Sequence, residues 1–142
     1  MDSVALLRQQ IRSAHEIVDG TVADLTSEQA HWSPAGKAVA AAPLFMHLAS
    51  GEDLFLNMMT GRQPLAMGAY SGKTGASEPP PMGQEHMSEW AKRVKVDLPL
   101  VREYAQAVYQ NTNEYLSSIK PDDLSREIET QVLGKQNLAW VL

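Results

Sequence analysis

Apolar residues return at steps of three and four over three long stretches of the chain. That spacing is the signature of helices with one packed face. The first stretch predicts a helix over about 3–19, with Val4, Leu7, Ile11, Ala14 and Val18 on one face and Arg8, Arg12, Glu16 and Asp19 on the other. Ser3 reads as its N-cap and Gly20 as its stop. Thr26 to Ala30 predicts a short helical turn, broken by Trp32-Ser-Pro-Ala-Gly. A second long helix is predicted from Pro43, since proline is tolerated in a first turn, to Thr60, with Gly61 ending it. In the third stretch Leu98, Val101, Ala105, Val108, Thr112, Tyr115 and Ile119 alternate three and four without a miss. This is the seam of a helix lying nearly parallel or antiparallel to its neighbours.

The segments between these helices are less regular. Residues 62–87 are rich in Gly, Pro and Ser. A loop of that length is expected to be functional or mobile and to cover one end of a bundle. Ser88 to Arg93 predicts a short helix, and Pro99 disrupts or restarts the pattern. Lys120-Pro-Asp-Asp closes the third long helix, 124–134 reads as an extended connection, and Asn137 to Leu142 reads as the first turns of another helix. No alternation is long enough to predict a sheet, and no repeat is visible. The expectation is a single all-α domain over 1–142, an antiparallel up-down four-helix bundle with its fourth helix only begun.

Composition narrows the function classes. The net charge of -5, with no basic cluster, argues against nucleic acid as a partner. No apolar run approaches a membrane span, so no membrane role is expected. The charged, amphipathic start is no signal peptide. The absence of cysteine fits a reducing, cytoplasmic setting. It also leaves any metal to His, Asp and Glu.

His47 lies within about 60° of Leu44, Gly51, Leu54 and Met58 on a helical wheel, inside the apolar arc. Ser50, Asp53 and Asn57 fall on the other flank. From position alone His47 is either a core histidine bonded to a carbonyl or hydroxyl, or a metal ligand facing the bundle. Glu52 also lies in the arc, about 140° from His47, too far round to share one metal easily. As a buried carboxylate it needs a partner, expected to be an Arg or Tyr on a neighbouring helix, such as Tyr104 or Tyr109, in a structural hydrogen bond rather than a catalytic role. His15 borders the first helix's apolar stripe. His31 and His86 read as solvated. Met58, Met59 and Met67 read as core filler and loop contacts.

The run Leu25-Thr-Ser-Glu-Gln-Ala-His-Trp-Ser-Pro, followed by a helix with Met46-His47-Leu48-Ala49 and Glu52, resembles the DinB-like superfamily. The resemblance implies an antiparallel four-helix bundle with a divalent metal (nickel, zinc, iron or manganese) held by three histidines. His47 matches the ligand on the second helix. The other two come from an H-x-x-x-H pair on the fourth helix and have no match here. This implies either a shortened chain, which the ending inside an apolar helix start favours, or a member that lost the site. Activities in the family imply a metal-dependent enzyme acting on a small-molecule substrate with a low-molecular-weight thiol, as a transferase or isomerase. The alternative is a non-catalytic bundle that works as a homodimer, a second subunit closing the open seam.

Overall fold

A computed structural model describes residues 1–130 and 133–142. Helix α1 spans Ser3–Val22, with Asp2 rather than Ser3 as its cap: the Asp2 carboxylate accepts from the Ala5 N–H at 2.8 Å. The helix continues through Gly20 because Val22 is buried in the core. Helix α2, Ser27–His31, opens on a reciprocal Thr26–Gln29 capping box. Helix α3 spans Ala41–Met59 with Pro43 in its first turn, and Gly61 follows at φ 71°. Helix α4 is Met87–Arg93 and α5 is Leu98–Ser118. Asp97 caps α5 by accepting from the Leu100 N–H, so Pro99 starts the helix rather than breaking it.

The predicted connection over 124–134 folds differently. A 3₁₀ turn over Pro121–Ser125 leads into strand β1, Glu127–Thr130, which pairs antiparallel with β2, Gly134–Asn137, in the register Glu127↔Asn137. The part of that expectation at 131–132 lies outside the described residues. Helix α6, Leu138–Val141, is capped by the Asn137 side chain, as the NLAWVL reading anticipates. The molecule is thus all-α with one small hairpin. Among the described residues no helix is long and apolar enough to cross a membrane.

Cross-helix bonds fix the directions. Arg8 meets Asn113, Asp19 meets Gln106, and Arg102 reaches the Val22 carbonyl, so α1 and α5 are antiparallel. After α3 the long connection doubles back along it: Leu65 and Ala66 reach Asp53, Tyr70 packs on Tyr104, and Ala76 bridges to Val96 just before α5. Helices α3 and α5 therefore run the same way, and α1 runs against both. The connection lines a side of the bundle rather than capping one end.

The core lies between α3, α4 and α5, with Phe45, Met46, Trp90, Val101, Tyr104 and Val108 almost wholly enclosed. Each large apolar side chain buried there contributes about 1.5–3 kcal/mol. The α5 seam matches the expectation from Leu98 to Thr112. Tyr104 and Leu116 are more deeply buried than Tyr115 and Ile119, which are only half-buried.

Helix α3 departs from its predicted orientation. Its supposed polar flank, Ser50, Asp53 and Asn57, is buried, while Leu44, Leu48, Phe55 and Met58 are 39–47 % exposed. Met58 is therefore not core filler, and Met67 is exposed as well. Hydrogen bonding explains the rotation. Ser50 Oγ donates to the Met46 carbonyl, Asn57 donates to Asp53, and Asp53 receives donors from three segments, so Ser50 and Asp53 are satisfied without water while Asn57 Oδ1 alone of this flank keeps no partner among the described residues.

Candidate functional site

Three helices meet at His15. One turn of α1 places it opposite the middle of α3, and its Nε2–H donates to Glu52 Oε2 at 2.8 Å. The other Glu52 oxygen accepts from the Thr112 hydroxyl of α5. The His15 ring stacks on Tyr109, with centroids 3.7 Å apart and planes 14° from parallel. Tyr109 in turn donates to Asp19 at 3.2 Å. A histidine, a carboxylate and a hydroxyl are thus locked in one orientation, each by a partner on a different helix.

Glu52 opens into a groove of about 370 Å³ between α1 and α3. Ala14, Val18, Leu48, Phe55 and Val141 give it mostly apolar walls, and the Glu52–His15–Thr112 group is its polar end. Apolar walls with a few converging polar groups are the usual form of a small-molecule site. His15 and Tyr109 also line a second, polar cleft between α1 and α5.

Burial and the nearby Asp19 carboxylate push the Tyr109 phenol above its ordinary range. Burial, then the hydrogen bond and charge of Asp53, do the same to Tyr104. Both tyrosines hold their proton more tightly folded than unfolded. Their contribution to stability is fully present below the ordinary tyrosine value and is lost as pH rises beyond it. Thermal denaturation should therefore show a melting temperature that falls from about pH 10 upward. Tyr109→Phe should flatten part of that alkaline limb, and an unchanged limb in both single Phe variants would refute the assignment.

The expected site residues are distributed unevenly. Glu52 has the partner its burial demands, but the partner is His15 with Thr112. Tyr104 serves Asp53 instead, and Tyr109 serves Asp19. His86 is exposed, as expected. His31 is not merely solvated: its Nδ1–H donates to the Ser27 carbonyl at 2.7 Å, and its Nε2 accepts the Val96 N–H at 3.1 Å, tying α2 to the start of α5. His47 is half-buried on the partly uncovered face of α3. Among the described residues it makes no hydrogen bond to His15 or Glu52 and does not line their groove.

A resident divalent metal needs about three or four protein donors. Among the described residues no group of three or more His, Asp or Glu side chains is placed to hold one. His47 is a single donor, so these residues do not by themselves fit a metal centre. Thr112 was legible only as a seam residue. The signal that it belongs to the site is its register opposite Glu52, which depends on how α3 and α5 pair.

A family model described as the DinB superfamily matches residues 10–142 of the chain. Among solved structures, a conserved protein from Enterococcus faecalis superposes with a TM-score of 0.82 at 25% sequence identity, covering 100% of this chain and 85% of that one. A search of curated proteins gave no match.

Proposed function

The chain belongs to the DinB superfamily, and from that membership we propose that it is an enzyme acting on a small electrophilic metabolite with a low-molecular-weight thiol as co-substrate, a transferase or isomerase. The observation that carries this reading is the Glu52 carboxylate at the polar end of an apolar groove, oriented by His15 and Thr112. The thiol class comes from the resemblance at Leu25 to Glu52. The groove supports it by offering a base where an apolar electrophile is drawn out of water. Glu52 takes the S–H proton as sulfur attacks. The new S–C bond forms, and an electron pair moves onto the electrophile's activating atom. With an addition acceptor Glu52 then returns the proton to the adduct; with an aryl halide the electron pair returns to the ring, the halide leaves as an anion, and Glu52 releases the proton to solvent. His15 and Thr112 keep the carboxylate aimed, and Phe55 and Leu48 form part of the groove's apolar wall.

In the family reading His47 is a metal ligand and the metal a Lewis acid. The described donors do not complete that centre, so no step is routed through it.

The chain has no cysteine of its own, so thiol addition can be followed without background from the protein. The test is the rate of adduct formation between 2-mercaptoethanol and 1-chloro-2,4-dinitrobenzene, read by absorbance. The wild type should exceed the uncatalysed rate, and Glu52→Gln should lose about 100-fold of that gain, the usual worth of a general base. A wild type no faster than buffer sinks the reading.

A second reading has its own support. Leu44, Leu48, Phe55 and Met58 form an exposed apolar stripe on α3, larger than scattered surface residues require. In this reading a second copy covers the stripe and the protein works as a homodimer without catalysis. Light scattering should then give twice the chain mass, and Leu48→Glu should halve it. A monomer at all concentrations rules the dimer out.

A further inference from the structure

The polar cleft on the other side of His15 has a volume of about 610 Å³ and lies between facing rows of α1 and α5. Its charges are sorted by position. Arg8 and Arg12 stand at one end, with Asn113 of α5 beside them, and Asp19 and Glu103 stand at the other. Both ends are held in place. The Arg8 guanidinium donates twice to Asn113 Oδ1, at 3.2 and 3.1 Å, which orients it without neutralising it. Asp19 accepts from Gln106 at 2.7 Å and from Tyr109 at 3.2 Å. Arg12 has no hydrogen-bond or ion-pair partner among the described residues; even Glu16, one turn away, does not pair with it. Between the two ends the wall includes the stacked His15 and Tyr109 rings.

Helix geometry sets the spacing. Arg12 and Asp19 are seven residues apart on α1, which at the α-helical rise is about 10 Å along the axis. An extended peptide advances about 3.3–3.6 Å per residue, so three residues span that distance. We propose that this cleft is a binding site for a linear zwitterion with its charges about 10 Å apart, in practice a short peptide of about three residues. The peptide carboxylate meets Arg8 and Arg12, its ammonium group meets Asp19 and Glu103, and its backbone lies across the His15–Tyr109 stack. Arginine suits the carboxylate end because its planar fork binds the two oxygens together. The volume is within the ordinary range for small-ligand sites. The proposal does not depend on the chemistry assigned to the apolar groove, and either can fail alone.

The test uses the whole chain labelled with ¹⁵N, at low salt, with trialanine as the probe. Amide shifts should appear along the facing rows of α1 and α5. Blocking either terminus of the probe, as N-acetyl-trialanine or trialanine amide, should weaken binding about tenfold, the worth of one charge-assisted contact. Arg12→Gln should do the same while leaving the far-UV circular dichroism unchanged, because Arg12 is exposed. The proposal is overturned if cleft resonances stay still at high probe concentration, if shifts map elsewhere, or if the blocked probes and Arg12→Gln bind like the originals.

Discussion

Replacing Asp53 with alanine will destabilise the fold by about 4 kcal/mol, a large share of the roughly 5–15 kcal/mol that holds a domain of this size together. Asp53 is 1 % exposed. Its Oδ1 accepts from the Leu65 N–H and the Asn57 amide, and its Oδ2 accepts from the Ala66 N–H and the Tyr104 hydroxyl, all at 2.7–2.9 Å. Four donors from α3, α5 and the returning connection thus end on one carboxylate. Truncation strands them away from water, and each buried orphan costs about 1–3 kcal/mol before relaxation. Asp53→Asn keeps the shape and one acceptor but turns an amide N–H towards two donors, so about half the loss should remain. Urea denaturation of the three proteins measures this. A cost under about 1 kcal/mol for the alanine variant would mean the network contributes little net stability.

Gly75→Ala should cost about 3 kcal/mol or prevent the long connection from docking. Gly75 sits at φ 95°, where side chains are rarely tolerated, and an added Cβ would lie 2.6 Å from the Val101 nitrogen and 3.0 Å from the Asp97 carbonyl. Both obstacles are backbone and cannot swing aside. The same residue's carbonyl accepts the Asp97 N–H at 2.8 Å, so displacing it also loosens the start of α5. Gly20 is the internal control. It lies within α1, and a Cβ added there would meet nothing within 4 Å. Gly20→Ala should therefore stabilise by about 0.5–1 kcal/mol by lowering the entropy lost on folding. A melting temperature that does not fall for Gly75→Ala would contradict the close approach at Gly75.

The long helices are legible because their apolar positions return at steps of three and four. Pro43 in the first turn of α3, Gly61 just beyond it and Pro99 at the start of α5 mark their ends within a few residues. The facing of α3 was not legible. Its sequence is apolar around most of its circumference, so the wheel gave no unique inner side. The choice fell to Asp53, whose four donors lie up to 51 residues away in the chain. The hairpin was missed for a related reason: strands of four residues are too short to show alternation. Glu52's need for a partner was readable from burial. Its partner was not, because the register between α1 and α3 is set only when both helices pack. His47 stands out by its place in the apolar arc, only the resemblance makes it a ligand, and nothing in local spacing distinguishes a ligand from a boundary histidine.

The doubled-back connection has an electrical consequence. Three long helices always leave one dipole uncancelled, and the doubling-back decides which way it points: α3 and α5 run together and α1 opposes them, so the surplus of about half an elementary charge at each end follows α3 and α5. The end where Ala41 and Asp97 open their helices is the positive pole, and the end where Met59 and Ser118 close theirs is the negative one. A molecule whose overall charge is negative thus keeps an axis along which approaching anions distinguish one end from the other.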